Sequence, residues 1–181
     1  RLAYAQMSQV LTMLGSPQVL ATTATATTQA AQNICELLSI EAEHVYKDKT
    51  ARTNLELKDL RGVKDRECAL LSLVSDGTKT IVYVNSREQA QALTRMLRHR
   101  IPELGHKIAF YHAGLTPQIR KNVERAFRRG NVCCVIATSA FGEGVNISDI
   151  RQVILYHLPF GRVAFNQMSG RAGRDGKLSV I

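Results

Sequence analysis

Thr80-Ile81-Val82-Tyr83-Val84-Asn85-Ser86-Arg87-Glu88-Gln89 is the stretch that decides the fold. It opens on β-branched and aromatic residues with no polar interruption, the pattern of a strand buried on both faces. Ser86 then stands where a helix would begin, and Gln89 follows at the spacing of a capping box. Ala90, Leu93 and Leu97 extend the stripe that such a helix would bury. A strand that feeds directly into a helix belongs with parallel neighbours, because parallel strands need a crossover rather than a hairpin.

The same unit recurs on the C-terminal side. Residues 107–111, 132–137 and 153–156 are further apolar runs of strand length. Thr116-Pro117 opens a helix in cap-then-proline order, and Arg128-Arg129-Gly130 closes it with cations and a glycine. A short helix is expected over 163–169, and Leu178-Ser179-Val180-Ile181 reads as a last strand. The fold class is therefore α/β, a parallel sheet with helices on both faces. Upstream, residues 2–14 suggest a helix stopped by Gly15 and Pro17, and Val19-Leu20-Ala21 a short strand running into a threonine-rich stretch. A second helix over 29–38 would bury Ala31, Ile34, Cys35 and Leu38. Residues 39–63 are polar and weakly periodic, as in a linker, and Asp65 is placed to cap a helix carrying Ala69, Leu70, Leu73 and Val74.

Lys and Arg number 24 against 15 Asp and Glu in 181 residues, a net charge of +9 that favours polyanionic partners. With 45% hydrophobic and 22% charged residues, the composition excludes a disordered tail or a fibre. Cys35, Cys68, Cys133 and Cys134 form no C-x-x-C pair and have no histidine at finger spacing, so no metal site is expected. Free thiols in apolar runs suit a reducing cytosol. No apolar run has membrane-spanning length and the start is no signal peptide, so a cytoplasmic location without a membrane partner is expected. The opening without Met and the close on a strand pattern read as a piece of a longer protein.

Ligands of parallel sheets meet the loops at the carboxyl ends of the strands. Those loops are Asn85-Ser86-Arg87, His112-Ala113-Gly114 and Thr138-Ser139-Ala140-Phe141-Gly142-Glu143-Gly144. Gly142-Glu143-Gly144 is a poor dinucleotide fingerprint, since Ile147 stands where the third glycine belongs. No G-x-x-x-x-G-K-[ST] loop occurs, so the chain has no Walker cradle for β- and γ-phosphates. His44, His99, His106 and His157 are read as scattered surface or edge histidines. The sharpest feature is Gln167-Met168-Ser169-Gly170-Arg171-Ala172-Gly173-Arg174-Asp175-Gly176. If the helix from Val163 continues, Gln167, Arg171 and Arg174 share one face, and Gly170 and Gly173 let it approach a ligand closely. Paired guanidiniums suit phosphoryl oxygens. The bland alternative is a solvated basic helix end before a glycine turn.

This decapeptide resembles motif VI of superfamily-two helicases, and Gly170-Arg171-Ala172-Gly173-Arg174-Asp175-Gly176 is most similar to RecQ-like DNA helicases. Residues 21–27 resemble motif III, 81–87 motif IV, and 137–146 motif V, while Tyr111-His112-Ala113-Gly114-Leu115 resembles a neighbouring family motif. Met168, Glu143 and Thr22 depart from common RecQ residues (Glu, Met and Leu). The motif V and VI signatures of DEAD-box RNA helicases are absent.

The resemblance implies a RecA-like fold and half of an ATP-dependent DNA helicase motor. Residues 1–40 would be the tail of the first, ATP-binding domain, and 41–181 most of the second, shortened at its C-terminal end; motifs I and II are missing. Arg171 and Arg174 would act on the γ-phosphate with Gln167 beside them, Arg174 as the arginine finger. Gly144 and Asn146 would lie near the nucleotide. Asn85, Ser86, Arg87, His112, Gly114, Thr138 and Ser139 would touch the nucleic-acid backbone, and Thr25 and Thr27 would couple hydrolysis to grip. The implied cofactors are ATP and Mg²⁺, both held mainly by the missing first domain. The implied partner is single-stranded or partly duplex DNA, at the nucleoid if the source is bacterial. A translocase or remodeller without strand separation, and a non-catalytic nucleic-acid-binding module, remain alternatives.

Overall fold

The computed structural model describes residues 6–23, 25–47, 51–142 and 146–181. The chain divides into two compact units, residues 1–51 and residues 52–181. In the first, α1 (Met7–Met13) and α2 (Thr28–Leu38) lie against each other, and neither has a fully buried residue. Thr27 caps α2 by accepting the Ala30 N–H at 3.1 Å. The strand expected at Val19-Leu20-Ala21 is not formed; those residues carry no regular structure, and Leu20 is 89% exposed. A strand needs a partner edge, and the described part of this unit supplies none.

The second unit holds the sheet. Its strands are β1 (Leu55–Glu56), β2 (Thr80–Tyr83), β3 (Ile108–Tyr111), β4 (Cys134–Ala137), β5 (Gln152–Leu155) and β6 (Ser179–Val180). They are ordered β1-β6-β5-β2-β4-β3, and every pairing is parallel. The crossovers use α3 (Arg66–Val74), α4 (Arg87–Arg100), α5 (Pro117–Arg129) and α6 (Gly161–Ser169). The first three start on the expected side chains: Asp65 accepts the Cys68 N–H at 2.9 Å, Ser86 that of Gln89 at 3.1 Å, and Thr116 that of Ile119 at 3.3 Å.

Two apolar clusters flank the sheet, as a parallel sheet requires. Ile81, Tyr83, Val135, Ala137 and Val153 pack with Phe127, Phe141 and Ala172 on one face. Val82, Val84, Cys134 and Ile136 pack with Leu70, Val74, Leu93 and Leu97 on the other. Each fully buried aliphatic side chain of this kind contributes about 1.5–3 kcal/mol relative to exposure. Tyr83 is in register with both Ala137 and Leu155, and Tyr111 with Ala137. The four longer strands therefore end level, and their carboxyl-end loops form one rim.

Two expectations need correction here. β1 lies inside the stretch read as linker, where it pairs with β6; two residues are too few to leave a periodic signal. The helix read as running through the arginines ends at Ser169, and Gly173 turns the chain with φ +53°. Arg171 and Arg174 therefore stand on a turn rather than on a shared helical face with Gln167.

Candidate functional site

Along the rim, the loops after β2 and β3 meet. Ser86 spends its hydroxyl on the α4 cap, while Asn85 is exposed. The Arg87 guanidinium lies so close to Gly114 that a Cβ there would stand 2.8 Å from Nη1 and 3.2 Å from the His112 Nδ1. His112 is 5% exposed; its Nε2 is 3.2 Å from the Gln91 amide, and its Nδ1 has no hydrogen-bond partner among the described residues. A guanidinium beside a bare glycine backbone is an arrangement suited to an oxygen-rich anion, and the unpartnered ring nitrogen lies against it. The loop after β4 joins them through the Thr138 N–H, which donates to the Tyr111 carbonyl at 3.1 Å; Ser139 is exposed.

The second cluster lies where the β4 loop meets the turn after α6. Gly142 has φ +113°, and a Cβ on it would stand 2.8 Å from Arg171 Nε. The guanidinium therefore lies directly on that backbone, which explains the glycine. Arg174 donates from Nε to the Gly170 carbonyl at 3.1 Å and from Nη1 to the Asn146 side-chain oxygen at 3.2 Å. Burial, together with the nearby positive charges of Arg171 and Arg52, holds the Arg174 guanidinium below the usual arginine range. Cations crowded in this way favour an anion among them. Gly144 lies outside the described residues, and Gln167 is exposed on α6. Tyr83 reaches this second cluster from the end of β2: its hydroxyl donates to the Phe141 carbonyl at 3.1 Å, and burial pushes its pKa up to about 12.

In the first unit, Thr27 is occupied as the α2 cap, and the Thr25 N–H donates to the Thr23 hydroxyl at 3.3 Å. Glu41, Glu43 and His44 bring donor atoms within 4.8 Å of one another, all of them exposed on a single 3₁₀ turn. Among the described residues no helix is long and apolar enough to cross a membrane.

Sequence reasoning missed Arg52 and Asn54. Arg52 donates to the carbonyls of Ala172 (2.8 Å), Gly170 (3.5 Å) and Gly173, and Asn54 to those of Gly173 (2.8 Å) and Lys177 (2.9 Å). The signal available was thin: an Arg-x-Asn in a polar stretch, far from its partners in sequence.

Residues 63–176 match the family described as helicase conserved C-terminal domain. The chain belongs to that family. Its relatives are RecQ-like. It is 35% identical over 174 residues to the ATP-dependent DNA helicase RecQ of Pasteurella multocida, covering 95% of this chain and 27% of that protein. It is 36% identical over 183 residues to the probable ATP-dependent DNA helicase RecS of Bacillus subtilis, covering 98% of this chain and 36% of the other. The chain thus spans roughly a quarter to a third of these relatives. Among solved structures, Mycobacterium smegmatis helicase Lhr bound to ssDNA and AMP-PNP superposes with a TM-score of 0.57 at 28% identity, over 63% of this chain and 16% of that one. The RecA-like helicase C-terminal fold and the RecQ-like resemblance are both borne out.

Proposed function

We propose that this chain is the second-domain half of an ATP-driven DNA helicase motor, with residues 1–40 belonging to the first domain and 41–181 to the second. The observation that carries the reading is the seating of Arg171 on Gly142 and of Arg174 on Asn146, with Gly142 and Asn146 both on the long loop that leaves the carboxyl end of β4, the strand whose neighbouring loops hold Arg87, His112 and Gly114. One domain thus offers a cationic cluster and a surface suited to a nucleic-acid backbone. A motor that converts phosphate chemistry into movement along a strand needs both.

The residues present fit a nucleotide's terminal phosphate. Asn146 and the Gly170 carbonyl orient Arg174, Gly142 leaves room for Arg171, and the crowding of positive charge is relieved when phosphoryl oxygens lie between them. ATP supplies the phosphoanhydride whose cleavage drives the cycle, with Mg²⁺ as its counter-ion, and both would be held mainly by the first domain. Arg174 strengthens its contact as charge develops on the transferred group, so its effect falls on rate rather than on affinity. Gln167, on the preceding helix, would face the same exchange, and Gly144 and Asn146 would border the nucleotide.

Asn85, Ser86, Arg87, His112, Gly114, Thr138 and Ser139 would hold successive phosphates of a single DNA strand. Short polar groups and backbone amides suit such contacts without reading bases. Thr25 and Thr27 would transmit closure of the cleft to that grip. The test is DNA-stimulated ATP hydrolysis and duplex separation by a full-length protein carrying this domain. Unwinding is expected; hydrolysis without unwinding would make it a translocase, and absence of both would reduce it to a binding module.

A further inference from the structure

The turn that presents Arg171 and Arg174 leaves its carbonyls in need of donors, as helix ends do. Ala172 donates its N–H to the Ser169 carbonyl at 3.0 Å and Gly173 to that of Ile150 at 2.8 Å. The carbonyls of Gly170, Ala172 and Gly173 are met from a segment more than a hundred residues earlier, where one Arg52 guanidinium reaches all three. Asn54 adds the Gly173 and Lys177 carbonyls, and its own side-chain oxygen accepts from Arg52 at 3.4 Å. The fit is close on both sides. A Cβ on Gly173 would stand 2.6 Å from the Asn54 amide nitrogen. The Gly170 carbonyl also accepts Arg174 Nε at 3.1 Å, so Arg52 and Arg174 share an anchor.

We propose that Arg52 and Asn54 are positioning residues for the phosphoryl-facing arginines, a brace at the mouth of β1 that fixes the Gly170 to Gly173 carbonyls and through them the reach of Arg171 and Arg174. The brace lies outside the matched family region of residues 63–176. It rests on the reading of Arg174 given above. A guanidinium is suited to the task because its planar fork offers donors to several acceptors at once, which an ammonium on a flexible stem does not.

The brace can be read in the 181-residue chain without nucleotide. Amide hydrogen exchange in Arg52→Gln and Asn54→Ala should quicken at Arg171 to Asp175 and stay unchanged in β2 and β4. Arg52→Lys should fail to restore protection. In a full-length protein, Arg52→Gln should lower kcat by about 10²-fold, the cost typical of an ångström of misplacement, with KM for ATP and affinity for single-stranded DNA nearly unchanged. Added to Arg174→Ala, it should cause little further loss, because both act through one contact. Unchanged exchange at the turn, uniform quickening throughout the sheet, or a fully additive loss of kcat would each overturn the brace. Near-normal turnover of Arg174→Ala alongside local quickening in Arg52→Gln would instead remove the finger assignment and leave the brace standing.

Discussion

Arg174 carries the sharpest expectation at the scale of single residues. Replacing it with alanine in a full-length protein should cut ATP turnover by about 10³–10⁵-fold, the range seen for arginine fingers, while nucleotide and DNA binding persist. Arg174→Lys should rescue poorly, since an ammonium cannot serve the Gly170 carbonyl, the Asn146 side chain and a phosphate together. Steady-state hydrolysis and equilibrium binding of both variants check this; near-normal turnover of the alanine variant would remove Arg174 from the chemistry. Gly142→Ala tests its neighbour. A Cβ 2.8 Å from Arg171 Nε, on a backbone at φ +113°, should displace that guanidinium and lower turnover, with a melting temperature lower by a few degrees from the strained backbone. That both arginines lie in close quarters was legible in the sequence, because glycines stand beside two guanidiniums. The geometry that presents them was not. Helical spacing suggested a shared face, but the helix stops at Ser169, and the carbonyls it leaves open are satisfied by Arg52, which no local pattern could reveal.

At the scale of elements, the strands and helices with capped starts were readable because each signal is local. Ser86, Thr116 and Asp65 cap as their side chains dictate, and β2 and β4 are apolar because both faces are covered. β1 was not readable, since it exists through pairing with β6 and has no pattern of its own. The central strands also make a pH prediction. Tyr83 at the end of β2 and Tyr111 at the end of β3 are each 3% exposed, and burial pushes each pKa up to about 12. The unfolded phenol ionises near pH 10. The folded state therefore keeps its protons where the unfolded state loses them, and stability should be full below about pH 10 and fall as pH rises toward 12. Chemical denaturation across that range, with tyrosinate absorbance recorded alongside, measures it. Tyr83→Phe should weaken the alkaline dependence while giving up the hydrogen bond to the Phe141 carbonyl; an unchanged dependence would mean that Tyr83 ionises in the folded state as it does in water.

At the scale of the whole molecule, the proposed contact with DNA would rest on the +9 charge and the polar rim. Binding to single strands should be weak and indifferent to sequence. Some three phosphate contacts correspond to a log–log salt slope of roughly −2. Asn85→Ala and Thr138→Ala should weaken all sequences alike in a titration monitored by anisotropy, whereas a strong base preference would point to a specific reader. The two units make the final prediction. In residues 1–51, α1 and α2 bury nothing fully, and Met13, Leu14, Leu20 and Tyr46 are 86%, 68%, 89% and 91% exposed. Such side chains forgo about 1.5–3 kcal/mol each relative to burial, which favours association through this unit. A chain shortened to begin at Ala51 should be monomeric and melt cooperatively, because both faces of the sheet keep their cover and Arg52 keeps its carbonyls. A chain beginning at Leu57 should melt lower, having lost β1 and the brace together and exposed the β6 edge. Light scattering and thermal melting of the three lengths decide it. If the chain from Ala51 fails to fold while all 181 residues form a stable monomer, the first unit is part of the second's core, and the division between the two domains lies elsewhere.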